Sequence, residues 1–556
     1  MKDLKQNVVD IDAGAGKVFI NTMLRASWIA LLASAIYQFV FYPEIENTIA
    51  VIAVAGAWML TSIVWLKFEM QKRFLFSAFM VLGFVASQFY FALLFTTLEG
   101  KPITFNLELP EEVFLHSSLC VLVLVAAHSI YRYLNRLALD RSSTVLERLG
   151  FFEAPTDLQV WIMGAFGMAA SFYVYFSSPD LGREITGASS DKLIQGLVPF
   201  SYAPFFIAIS KIYGNNNKPH KGYVPMIIMY SILLFAVSIA RNSRGAFIVG
   251  LTTPVFAYFL GLVLGVFKTK VFTFRNFAIA AALGWLLLGP FTDLGTAMLI
   301  VRNSRSDLSP GELVSETLEV LDDKEAIEQR KKDDLDESWD FDWDERYLNN
   351  LFAARFANIK FNDMNMVTAQ KVGTYDPDMQ QFSIDQVIAI LPDPIIKFFG
   401  FDVDKEEVLA LSFGDFQYIL SGGYGTPFGY RVGNMSASGM TTFGWWYLLL
   451  LGAISIPVFW LNDRLINYKA KLDDDGVTVS QLKISFCGIL LVTHLFQFFL
   501  VESVVQILTY IVRGWLQMIL LYILMFHLSR GISWVLTRRK KSQSQSFVHN
   551  QVTAQR

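Results

Sequence analysis

The chain of 556 residues is 53% hydrophobic and 15% aromatic, with 49 Phe and a positive mean hydropathy. Soluble domains of this size do not carry that composition, so a lipid bilayer is the solvent it fits. The formal net charge of -3 provides no global basic surface for nucleic acid. Its two cysteines, Cys120 and Cys487, sit inside apolar runs near opposite ends of their helices and so make no disulfide framework.

The polar N-terminal stretch MKDLKQNVVDIDAGAGK precedes an apolar segment too long for a cleaved signal, which predicts a retained signal anchor. Apolar runs able to cross a hydrocarbon core of ~30 Å fall at about 24 to 42, 48 to 66, 74 to 96, 113 to 132, 158 to 177 and 193 to 213. They continue at about 223 to 240, 245 to 267, 276 to 300, 441 to 461, 481 to 501 and 506 to 528. The pattern predicts an all-α integral membrane protein of about twelve transmembrane helices, because a spanning segment must satisfy its own backbone. Pro199 and Pro204 should kink or interrupt the sixth, leaving carbonyls for neighbouring helices or water to satisfy.

Lys67, Lys72 and Arg73 lie in one short loop, Arg132, Arg136, Arg141 and Arg148 in a second. Lys211, Lys218 and Lys221, then Lys268, Lys270 and Arg275, fill two more. These alternate loops, and with them both termini, are expected in the cytoplasm of a bacterial inner membrane. The intervening loops are acidic or sparse in basic residues.

One connection, from Arg302 to Met440, breaks this economy on the outer, periplasmic side, and such length signifies function. It starts with a Ser-Pro-Gly-Glu helix signal and continues in acidic amphipathic segments. Its later part, SFGDFQYILSGGYGTPFGYRVGNMSASGMTTFG, is rich in Gly, Tyr and Phe and shows no helical period. Aromatic faces and small polar residues hold sugar rings, and a plain surface loop shares the composition. The expected organisation is nine helices over 1–301, a large periplasmic loop over 302–440, three helices over 441–535, and a disordered polar tail over 536–556. No repeat relates the two halves, which weighs against a duplicated transporter.

SIARNSRGAFIVGL places Arg241 and Arg244 between the seventh and eighth spans, at the outer interface where positive charge is least expected. MLIVRNSRSDLS places Arg302 and Arg305 after the ninth span, at the same depth and again three residues apart. The shared Arg-Asn-Ser-Arg spelling weighs little in a chain this long; the matched topology weighs more. One reading is interfacial arginines reaching lipid phosphates. The other is a binding site, because planar guanidinium forks grip phosphate oxygens bidentately and four of them suit a lipid-linked diphosphate.

Arg241-Asn-Ser-Arg244-Gly-Ala-Phe, running into an apolar helix, resembles the Ser-Arg-Gly motif of the bacterial O-antigen polymerase and O-antigen ligase superfamily, most specifically at Ser243, Arg244 and Gly245. The layout is similar too, with some twelve spans and one long outer loop in a GT-C-like polymerase/ligase architecture. ILPDPIIKFFGFD resembles an Ile-Pro-Arg motif with a downstream Lys, matching at Pro392 and Lys397 but lacking the arginine. TTFGWW resembles the Phe-Gly that opens a late helix, matching at Phe443 and Gly444 without the usual preceding Glu.

The resemblance implies glycosyl transfer from an undecaprenyl diphosphate-linked glycan, with no cofactor and no metal. Such a reaction chiefly needs stabilisation of negative charge growing on the diphosphate. Arg241, Arg244, Arg302, Arg305 and Arg355 are the expected diphosphate-binding residues, with Arg244 and Arg302 also catalytic; the resemblance bears on Arg244, while Arg302 and Arg305 rest on geometry alone. A general base is either an outer-loop carboxylate, with Asp363 and Asp415 as the candidates, or dispensable. The loop lacks the histidine usual in the ligase branch, which favours polymerase. His116, His128, His220, His494, His527 and His549 show no zinc spacing, and a structural role is expected for His494 and Glu502. No Walker, Rossmann or Ser-hydrolase motif occurs.

The expected function is polymerisation of lipid-linked oligosaccharide repeat units into O-antigen or surface polysaccharide, in a membrane and with a chain-length regulator as a further partner. The alternatives are ligase transfer to lipid A core or protein, and a lipid-linked glycan transporter or flippase.

Overall fold

The computed structural model describes residues 8–135, 143–174, 194–240, 244–268, 273–276, 278, 282, 289–301, 308–336, 343–423, 431–473 and 476–554. Helix α1 (Ala13–Phe41) begins where the Asp12 carboxylate accepts the Ala15 N–H at 3.0 Å. It therefore starts on the polar side of its apolar run. Helices α2 (Ile45–Val64), α3 (Leu75–Leu98) and α4 (Pro110–Leu134) follow the apolar runs closely. Pro110, Glu111 and Glu112 at the start of α4 and Arg132 in its last turn suit the helix dipole. A π-turn, Ala86–Tyr90, interrupts α3 and contains Gln88.

Helix α5 is Asp157–Phe172 and α6 is Ile194–Tyr213. From Val198 onward α6 is wound as a 3-10 helix, with Pro204 inside it and Ile209 in non-helical geometry. The carbonyls freed there are taken up as physics requires. Tyr230 Oη donates to Ser201 O (2.7 Å) and Tyr223 Oη to Pro204 O (3.3 Å); Tyr230 Oη also reaches Gly164 O of α5 (3.0 Å), which ties α5 to α6. Helices α7 (Tyr223–Ala240) and α8 (Arg244–Val263) come next; of the ninth apolar run the continuous helix described is α9 (Pro290–Ile300).

The long connection is mostly helix. Its first helix, α10 (Pro310–Asp322), realises the Ser-Pro-Gly-Glu signal as a reciprocal capping box between Ser309 and Glu312. Then come α11 (Lys324–Asp336), α12 (Ile359–Val372), α13 (Pro377–Ala389), α14 (Phe413–Leu420) and α15 (Met435–Phe443). The last two correct the expectation of an aperiodic segment. Ser412 accepts the Asp415 N–H, and Asn434 accepts the Ser436 and Ala437 N–H groups, so each short helix has its own cap. Gly444, at φ 55°, separates α15 from α16 (Trp446–Asp463).

The eleventh predicted span is not one helix. Strands β1 (Ile466–Asp473) and β2 (Gly476–Ile484) pair antiparallel, with Ile466 opposite Ile484 and Asp473 opposite Gly476. Two helical turns, Phe486–Leu490 and Val492–Phe496, and an irregular stretch then lead into α17 (Val504–Arg538). Helix continues to Ala554, through the tail expected to be disordered. The described residues are thus predominantly helical, with one β-hairpin among them. Among the described residues seven helices are long and apolar enough to cross a membrane, α1 to α4, α6, α16 and α17, and two shorter apolar helices lie at Tyr223–Ile239 and Thr252–Val263.

At the hairpin end a buried polar network joins α2, α3, α4 and α16. Asp463 Oδ2 accepts from Ser77 Oγ (2.7 Å) and Tyr131 Oη (3.0 Å). Trp65 Nε1 donates to His128 Nδ1 at 3.1 Å, which leaves the His128 proton on Nε2, facing Ser77 Oγ at 3.1 Å. Because each member is satisfied by another, the network fixes the relative register of these helices.

Candidate functional site

At the opposite end, the long connection is seated in the mouth of the bundle rather than standing away from it. The turn between α3 and α4 holds it. Lys101 Nζ donates to Tyr347 O (2.9 Å) and Asn349 Oδ1 (2.8 Å), and the Glu99 carboxylate accepts the Asn349 and Asn350 N–H groups. Tyr347 Oη reaches Ile103 O at 2.7 Å. Burial, with the Glu99 and Asp363 carboxylates nearby, pushes the Tyr347 hydroxyl well above its ordinary pKa, so it is a fixed donor.

Asp363, on α12, is fully buried. Its Oδ1 accepts the Glu108 and Leu109 N–H groups at 2.9 and 2.8 Å, two donors just ahead of α4. Lys360 Nζ lies 2.9 Å from its Oδ2 and also donates to Asn106 O at 2.5 Å. The carboxylate therefore ties the long connection to the α4 start, and its lone pairs are occupied by protein donors.

Asp415, on α14, is also buried, and its Oδ1 lies 3.3 Å from Arg431 Nη1. The Arg431 guanidinium stacks 3.8 Å from the Tyr418 ring centroid and 5.8 Å from that of Trp343. Gln417 Nε2 links α14 to α12 through Asn365 O and Thr368 Oγ1, both at 2.7 Å. The two candidate carboxylates thus sit on neighbouring helices, each in its own ion pair.

Below them an amide chain descends into the bundle. Asn434 Nδ2 donates to Asn362 Oδ1 at 2.5 Å, and Asn362 Nδ2 donates to Gln88 Oε1. Gln88 lies roughly 15 Å along α3 from its end at Leu98. A cavity of about 20 Å³ beside this chain, lined by Gln88, Ser117, Asn362, Asn434 and Ser436 among others, is large enough for a water molecule. Glu502 closes the arrangement by accepting the Phe413 N–H at 2.8 Å, while its carbonyl takes the Ser438 hydroxyl.

Arg241, Arg302 and Arg305 lie outside the described residues; Arg244 begins α8, with its side chain outside the described set. The helix ends leading to both arginine strings converge. Ile239, Leu294 and Met298 form one buried cluster with Val314 and Leu321 of α10 packed against it. Arg355 is exposed on the turn after the short helix Leu351–Ala354.

Sequence reading misses Gln88 and Arg431, which owe their places to tertiary contacts, and Lys360, whose signal is local: it stands three residues before Asp363 on the same helix. It also overlooked Arg513, whose signal was present: an arginine inside the last apolar run. Arg513 occupies a π-turn, Tyr510–Gly514, and donates from Nε to Gln517 Oε1 at 3.2 Å. No group of three His, Cys, Asp or Glu side chains placed to hold a metal occurs among the described residues. Compared with protein families, characterised proteins and solved structures, the chain matches none.

Proposed function

We propose that the protein is a membrane glycosyltransferase that joins undecaprenyl diphosphate-linked oligosaccharide repeat units on the periplasmic side of a bacterial inner membrane, building O-antigen or surface polysaccharide. Twelve spans, cytoplasmic termini and an outer position for residues 302–440 are parts of this reading. The observation that carries it is the buried cluster of Ile239, Leu294 and Met298, which draws together the helix ends preceding Arg241 and Arg302. In this reading the two arginine pairs that follow these helix ends in the sequence serve a reaction with a diphosphate on each lipid substrate.

The chemistry needs little else. As the anomeric bond breaks, charge grows on the departing diphosphate, and arginines at a water-poor boundary stabilise it more than they stabilise the ground state. Arg244 and Arg302 take that role; Arg241, Arg305 and Arg355 hold phosphate oxygens. Asp363 and Asp415 order the mouth through their ion pairs, so the acceptor hydroxyl loses its proton to water or to another carboxylate. No metal or cofactor is required, and a chain-length regulator is the expected protein partner.

The test is incubation of the purified protein in detergent with a synthetic lipid diphosphate repeat unit. A ladder of products supports polymerisation. Transfer to lipid A core without a ladder favours a ligase, and translocation of glycan without bond formation overturns the enzymatic reading.

A further inference from the structure

Among the described residues of the long connection, the segment LPDPIIKFFGFDV, from Leu391 to Val403, carries the most exposed run of large apolar side chains. In its short helix, Asp393–Phe399, Ile396 turns inward and is buried. Ile395, Phe398 and Phe399, spaced i, i+3 and i+4, form the outward stripe, and they are 39%, 82% and 63% exposed. Phe401, after the αL turn at Gly400, adds to the same surface by stacking on Phe399 at 5.8 Å between centroids. Lys397 is exposed within the segment, and Lys405 is tied back to Leu391 O. An outward apolar stripe with lysine beside it is the inverse of what water selects.

What covers it follows from its neighbours. Helix α13, just before the segment, packs on the membrane-helix ends: Met379 and Phe382 share a buried cluster with Val505, the second residue of α17, and with Phe443. Tyr375, ahead of α13, lies against Gly444 at the break before α16. There Trp445 and Trp446 are exposed at the start of an apolar helix, the place where tryptophan marks the boundary between hydrocarbon and headgroups. Ile384, exposed on α13, continues this apolar surface toward the segment.

We infer that residues 391–403 form an interfacial anchor, with Ile395, Phe398, Phe399 and Phe401 inserted among the lipids of the leaflet at this end of the bundle and Lys397 reaching the headgroup phosphates. The anchor fixes the height of the long connection over the bilayer, and so of the mouth that Asp363 and Asp415 order. It rests on the membrane-spanning helices and not on the transferase reading.

The test uses the full-length protein in lipid nanodiscs, with a nitroxide on a cysteine replacing Phe398, Phe399 or Asp404 in turn; the native Cys120 and Cys487 are buried. Asp404 is exposed a few residues beyond the stripe and serves as the aqueous reference. Molecular oxygen concentrates in lipid and a nickel chelate in water. Oxygen collisions should exceed nickel collisions at 398 and 399, with the order reversed at 404. Nickel collisions prevailing at 398 and 399 would overturn the inference, because the stripe would then face water. Labels shielded from both reagents would overturn it too, because a protein surface, such as a second copy of this chain, would then cover the stripe.

Discussion

Replacing Asp363 with Asn separates a structural tie from a catalytic base. The wild-type carboxylate is 0% exposed, accepts two backbone N–H groups ahead of α4, and neutralises Lys360, itself 2% exposed. Asparagine keeps the shape but leaves the lysine charge buried without a counter-ion and turns an amide N–H₂ toward donors. Breaking a buried pair from one side costs about 3–5 kcal/mol. Replacing both partners, Lys360→Met with Asp363→Leu, removes the uncompensated charge and should recover part of that loss. The readout is the apparent unfolding free energy in mixed micelles, measured beside transfer activity. Unfolding of Asp363→Asn within about 0.5 kcal/mol of wild type would refute the structural tie. If transfer were lost at the same time, Asp363 would return as a candidate base.

The pair on α14 makes a parallel case: Arg431→Lys keeps the charge but gives up the planar stack on Tyr418, and should cost about 1–2 kcal/mol in the same titration. Gly83→Ala should cost about 3 kcal/mol or more, because its new Cβ would stand 1.8 Å from the Phe496 carbonyl oxygen, and backbone has nowhere to yield. Acid should loosen the connection at Asp344. Burial alone would raise its pKa, but the Arg346 guanidinium and the Asn106 amide outweigh burial and lower it from 3.8 to about 2. A lowered folded-state pKa means the contribution is present above pH ~4 and fades as pH falls toward 2. Hydrogen exchange at Arg346 and Tyr347, corrected for intrinsic rate, should accelerate over that window in wild type; Asp344→Asn should be loosened at every pH.

The first four helices were legible because each apolar run is bounded by charge: Lys67, Lys72 and Arg73 stop α2, and Pro110, Glu111 and Glu112 start α4. The eleventh run was misread because hydropathy alone does not distinguish a strand from a span at its edge. The hairpin signal was there, in an Asp-Asp-Gly turn followed by alternating Val477 and Val479, but Ile484 onward looked continuous with it. In the long connection, Ser412 and Asn434 are ordinary cap residues masked by the surrounding glycines and aromatics. The ion pairs Lys360–Asp363 and Arg431–Asp415 illustrate two ranges. The first is an i, i+3 pair on a helix and could be found locally; the second closes across a Gly-rich segment, and no spacing rule reports it. Gln88 belongs to a site only because α12 and α15 descend to meet it, a fact of packing and not of pattern.

The most direct test of the proposed function is to compare wild type, Arg244→Ala and Arg244→Lys, each purified and supplied with the synthetic lipid diphosphate repeat unit. The expected result is a ladder from wild type, none from the alanine variant, and weak extension from the lysine variant, which keeps charge but loses the bidentate grip. A ladder of wild-type length and rate from Arg244→Ala would contradict the account, because the charge on the departing diphosphate would then be stabilised elsewhere.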